Sequence, residues 1–84
     1  MDKIQNIFYL HSQLNNDGSK TSANNYAEEI FELSPNSFKT NYLQNKRFPK
    51  KYTEPKKENY EEINSRLDKF INYLQNALKN QNSL

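Results

Sequence analysis

At 84 residues the chain has room for one domain, 1–84, and a domain that small buries only about 60% of the surface its unfolded chain exposes. It has no Cys, which excludes a disulfide framework, thiol chemistry and Cys-containing zinc sites; a hydrophobic content of 33% hints at disorder, but six Tyr and five Phe argue for an ordered core. The net charge of +2 is too small for a bulk polycation, yet residues 46–57 carry six Lys/Arg against Glu54 alone while both flanks are slightly acidic, an asymmetry that points to an anionic partner.

The first segment places Ile4, Ile7, Phe8, His11 and Leu14 at helical spacing, with Asp2 and Gln5 as a capping pair and a turn at Asn16-Asp17-Gly18. A strand over Ile7 to Leu10 is the alternative. Met1 to Leu14 lacks the basic run, apolar run and cleavage site of a signal peptide, and no stretch reaches the roughly 20 apolar residues of a membrane span, so a cytoplasmic protein is expected. A second helix runs from a cap at Thr21 or Ser22 to about Leu33, with Tyr26, Ala27, Ile30 and Phe31 on one face. Ser34-Pro35 reads as an N-cap followed by Pro at the first helical position, opening a third helix to about Asn45 with Phe38 and Tyr42 inward.

Pro49 and Pro55 break the helix in the basic segment, which reads as a loop or short turn anchored by Phe48 and Tyr52. A long amphipathic helix follows, with Asn59 and Glu62 as a capping box. Its apolar stripe is Tyr60, Ile63, Leu67, Phe70, Leu74 and Ala77, widened by Ile71 and Leu78, with Glu62 and Arg66 paired at i,i+4 on the flank. Residues 80–84 are expected to fray. The expected fold is all-α, a small bundle of three or four helices with a helix-turn-helix-like centre.

The stretch from Tyr26 to Phe38 holds Ala27 in the first helix, Ser34-Pro35 at the start of the second and Phe38 four positions after Ser34. This pattern, with the continuation from Tyr42 through Lys46-Arg47-Phe48-Pro49, resembles the helix-turn-helix of bacterial and phage regulators of the phage-repressor or AraC type over residues 22–49. The spacing from Ala27 to Ser34 is one longer than the AraC-type pattern, and Phe31-Glu32 stands where repressors place a small residue, often Gly. The resemblance implies that Asn36, Ser37, Lys39 and Thr40 face the major groove and that Lys46, Arg47, Lys50 and Lys51 contact phosphates. The same sequence also fits two helices that merely pack in a bundle.

Six cations interleaved with Phe48 and Tyr52, with Lys56 and Lys57 completing the set, can combine phosphate contact with base stacking on DNA or RNA. The same composition also suits a solvated loop whose aromatics are core anchors. The last helix serves as core or, through Ile71 and Leu78, as a homodimer seam. His11 on an apolar face reads as structural, and the acidic groups Glu28, Glu29, Glu32 and Glu61, Glu62, Asp68 read as solvated faces, with no phosphate loop, nucleophile elbow or metal signature beside them. No cofactor or enzymatic activity is expected. The sequence therefore points to a nucleic-acid-binding regulator of a phage or plasmid. The rival reading is a mobile-element inhibitor of a host CRISPR nuclease, since size and Asn/Lys-rich composition also resemble phage-encoded anti-CRISPR proteins.

Overall fold

The computed structural model describes residues 2–82, and among them there is no strand. Helix α1 spans Lys3–Ser12 and is capped as expected: the Asp2 carboxylate accepts the Gln5 amide at 2.8 Å. Helical winding gathers Ile4, Ile7, Phe8, His11 and Leu14 against the core, whereas the alternation of a strand would split Ile7 from Phe8.

Helix α2 spans Gly18–Ile30 and starts earlier than a cap at Thr21 or Ser22 would allow. Its N-cap is Asp17, which accepts the Ser19 amide at 2.8 Å. A carboxylate at this position satisfies an orphan donor and sits at the positive end of the helix dipole, so it outcompetes the hydroxyls that follow. Gly18 therefore takes the first helical position and has no positive φ. The face toward the core carries Ala23 and Ala27, both fully buried, where small side chains let the helix approach its neighbour closely.

That neighbour is α5, Tyr60–Asn82, whose 23 residues extend for about 34 Å and account for most of the 42 Å long axis of the molecule. Helix α1 runs parallel to it, since Lys3 meets Asn64 and Asp68 while Gln13 and Asn15 meet Gln81. Helix α2 runs antiparallel, with Tyr26 stacked on Tyr73 at 4.6 Å and the Ile30 carbonyl beside Arg66. Ile63, Leu67, Phe70 and Leu74 are buried as the stripe predicts. Tyr60 is not; it is 56% exposed. The expected Asn59 and Glu62 capping box is also replaced: the chain enters through a 3₁₀ turn, Lys57–Asn59, and the Glu62 carboxylate turns to Arg66 at 2.9 Å. The helix continues through Asn82 rather than fraying from residue 80, and residues 83 and 84 lie outside the described residues.

Helix α3 opens as Pro35–Ser37 and continues as a π-helix over Phe38–Gln44, and α4 is a short helix of one turn, Lys50–Thr53, inside the segment expected as a loop or short turn. The wide winding coincides with a crowded ring. Tyr42 stacks on Phe38 at 4.7 Å and lies against Phe8 at 4.8 Å, His11 at 5.2 Å and Phe48 at 5.4 Å. From there edge-on contacts run through Phe48 to Phe31, and from Phe31 to Tyr52 and Phe70, so rings join every helix into one core.

Polar groups of this core include His11 and the Tyr42 hydroxyl. His11 hydrogen-bonds through Nε2 to Asn24 Oδ1 at 2.7 Å, and its burial, with Lys20 and Lys46 nearby adding repulsion, holds its pKa below the ordinary 6.5 against the opposing pull of the Asn24 bond. The Tyr42 hydroxyl is buried with no hydrogen-bond partner among the described residues, and burial pushes the phenol above its usual pKa.

Tyr42→Phe removes that orphaned hydroxyl and is expected to raise stability by about 1 kcal/mol in denaturant unfolding. An unchanged or lowered midpoint would show that the hydroxyl is satisfied. His11 gives a pH dependence with a definite sign. The unfolded chain takes up the proton more readily than the fold, so stability is full above 6.5, falls as pH drops through that value, and levels off below the lower folded pKa. Unfolding curves between about pH 8 and pH 5 should show this slope, and His11→Gln should flatten it.

Candidate functional site

The candidate site begins where α2 ends, because that end positions α3 and the basic segment. A helix leaves its last carbonyls without intrahelical donors. Here the Leu33 amide reaches back to Glu28 O at 2.9 Å and the Glu32 amide to Glu29 O at 3.3 Å, the pair of bonds that defines a Schellman motif. The motif needs a residue in the left-handed region, usually Gly, and Glu32 occupies it at φ 55°. Here Glu32 fills the place in the turn where the resemblance leads one to look for a small residue.

What holds Glu32 there is Arg66 of α5. Its guanidinium pairs with the Glu32 carboxylate, bonds Glu62 at 2.9 Å, and donates to Ile30 O at 3.0 Å. Hydrogen bonding to Arg66, reinforced by its charge, lowers the Glu32 pKa, and the same bond raises that of Arg66. The next carbonyl, Phe31 O, accepts from the Tyr52 hydroxyl at 2.9 Å in a buried bond. Thus α2 is capped by side chains from α5 and α4, and the basic segment is tied to the turn through Tyr52.

After the turn, Ser34 caps α3 as expected, its Oγ accepting the Ser37 amide at 3.2 Å, with Pro35 at the first helical position. Asn36, Lys39 and Thr40 are exposed and Ser37 is half-buried. The π-wound stretch ends at Gln44; two residues on, Lys46 is a second left-handed residue at φ 54°, and the Arg47 amide reaches Asn41 O at 2.7 Å.

Phe48 and Tyr52 are 9% and 3% exposed, so they are core anchors and not stacking platforms. The cations between them point outward. Lys46, Arg47, Lys50, Lys51, Lys56 and Lys57 are all exposed, and none forms an ion pair among the described residues; the ion pairs found there use Lys3 and Arg66. Lys46 donates to Leu43 O at 3.0 Å, and Lys51 lies 5.2 Å from the Tyr52 ring centre.

Lys50, Lys51 and Lys56 share one concavity of about 340 Å³ with Glu54 and Asn59. Lys46 lines a different cleft, of about 720 Å³, between the starts of α1 and α5 and the α4 region, where Tyr60 and Phe8 also lie. Asn36, Lys39 and Thr40 share neither. The part missed by sequence reasoning is this second cleft with Tyr60. Helical spacing assigns Tyr60 to the stripe, but α1 starts level with Asn64 and Asp68, so the first turn of α5 projects past it.

Among the described residues no group of three His, Cys, Asp or Glu is placed to hold a metal, and no helix is long and apolar enough to cross a membrane. No family model, curated protein or solved structure matches this chain.

Ser34→Ala should cost about 0.5–2 kcal/mol, because the Ser37 amide loses its acceptor. Urea unfolding of the two proteins side by side measures it, and equal midpoints would show that the cap contributes nothing to α3.

Proposed function

We propose that this protein is a non-enzymatic nucleic-acid-binding module whose basic segment contacts the phosphate backbone. The observation that carries the reading is the state of the six cations at 46–57: all are exposed, and none forms an ion pair among the described residues. Their mutual repulsion lowers stability slightly, and an anionic partner would relieve it. The segment is also pre-ordered. Tyr52 is bonded to the end of α2 and Phe48 is packed on Phe31, so its backbone costs little to order on binding.

The capped turn between α2 and α3 supports a regulator of helix-turn-helix type, with Asn36, Lys39 and Thr40 as its exposed base-reading edge. The π-winding of Phe38–Gln44 departs from the regular α-helix that such proteins lay in the major groove. Base reading by α3 is therefore tested separately from phosphate binding.

Replacing Lys50, Lys51 and Lys56 by Gln should leave the fold intact, since exposed lysines contribute little to stability. Binding should weaken, and the dependence of log K on log salt should flatten by close to one unit for each phosphate that is no longer neutralised. Substitution of Asn36 or Lys39 should instead alter preference among duplex sequences, by about 1–3 kcal/mol for each good base pairing. Fluorescence anisotropy across a salt series reads both effects. If the wild type binds neither duplex nor single strand at about 50 mM salt, where phosphate binding is strongest, the proposal fails and a protein-directed inhibitor becomes the leading reading.

A further inference from the structure

The cleft between the starts of α1 and α5 and the α4 region contains a ring that the fold leaves uncovered. Tyr60 stands on its rim, 56% exposed, with Ile4, Phe8 and Leu67 among its apolar lining. An exposed tyrosine is ordinary in itself. What distinguishes this one is its setting: the cleft's volume of about 720 Å³ is within the usual range of ligand sites, and the cleft adjoins the cation-rich segment through Lys46, Tyr52, Thr53 and Pro55.

The charges in the cleft sort by whether they are already engaged. The Asp2 carboxylate accepts the Gln5 amide, and the Lys3 ammonium is held by Asp68 at 2.9 Å and Asn64 at 3.4 Å. Lys46 has no carboxylate partner among the described residues, and its one hydrogen bond, to Leu43 O, leaves donor capacity free. Asp2 has no ion pair among the described residues and balances one cation of the cleft, so the excess of positive charge comes from the basic segment alongside, where Arg47, Lys50 and Lys51 are exposed next to the apolar wall and the ring. A partner that is anionic and also presents flat apolar faces matches both.

We infer that this cleft receives unpaired bases of a single-stranded nucleic acid, with a base stacked on Tyr60 and neighbouring phosphates held by Lys46 and the basic segment. The inference rests on the reading of that segment as phosphate-binding. A duplex supplies the same phosphates but keeps its bases stacked on one another, so only a single strand can use the ring. An acidic peptide without aromatic side chains would satisfy the lysines and leave the ring without a planar partner. Phe48 and Tyr52, the aromatics interleaved with the cations in sequence, are buried, so stacking falls to Tyr60.

The test compares a fluorescent single strand of about 12 nucleotides, within the site size of single-strand binders, with a duplex of the same length and with an acidic, aromatic-containing peptide. Tyr60→Ala should weaken single-strand binding roughly tenfold or more and leave duplex binding nearly unchanged, while Tyr60→Phe keeps the ring and the affinity. Tyr9→Ala is the control, because Tyr9 is 55% exposed and does not line this cleft. All three substitutions fall at exposed positions, and circular dichroism of each variant is the check that it folds. Equal single-strand affinity for Tyr60→Ala and wild type overturns the inference, as does Tyr60-dependent binding of the peptide in place of the strand. If duplex binding meanwhile still depends on Lys50, Lys51 and Lys56, the phosphate reading stands alone; if no nucleic acid binds, both fall.

Discussion

The carboxyl end of α2 is the constraint on which the rest of the molecule depends. A helix that ends against a core must find donors for its last carbonyls, since an unsatisfied buried acceptor costs as much as a lost hydrogen bond. Two of those donors are the local amides of Glu32 and Leu33, but the others come from distant parts of the chain: Arg66 for Ile30 O and Tyr52 for Phe31 O. One helix end thus fixes the turn, joins α5 to α2, and pins the basic segment beside both. Glu32 tolerates a left-handed backbone conformation, which disfavours most side chains, while its carboxylate is held by Arg66.

The core built around that end is made largely of rings. A chain with 33% hydrophobic residues has few aliphatic side chains to bury, and aromatics supply more area apiece. Phe31 occupies the crossing point, meeting Phe48, Tyr52 and Phe70 edge-on at 5.1 to 5.3 Å. The rings interleaved with lysines in the basic segment are committed to this core, which turns the lysines outward. Burial of Phe48 and Tyr52 and display of the cations are two sides of one arrangement.

Much of this could be read from residue order. The stripe Ile63, Leu67, Phe70, Leu74, the caps at Asp2 and Ser34, the Glu62 and Arg66 pair and the inward Phe38 and Tyr42 all rest on interactions within a few residues along a helix, which periodicity reports directly. The misplaced features have another character. Asp17 instead of Thr21 or Ser22 at the start of α2 is a competition among adjacent caps, decided by the carboxylate. The π-winding of α3 has no marker in the sequence; it coincides with the rings crowded around Tyr42, which come from α1, α3 and the basic segment.

By itself, then, the sequence determined that the chain is helical, where most helices lie, which faces they bury, and that its positive charge is concentrated in residues 46–57. All of these depend on neighbours in the chain. Tertiary structure alone decided that Phe48 and Tyr52 are anchors, that Arg66 closes α2 as well as pairing with Glu62, and that Tyr60 stands uncovered over a cleft beside Lys46. Each of these turns on where one helix starts relative to another. The offset between α1 and α5, which leaves Tyr60 half exposed while Ile63 in the same turn is buried, is a matter of packing between elements and has no trace in the period of either helix.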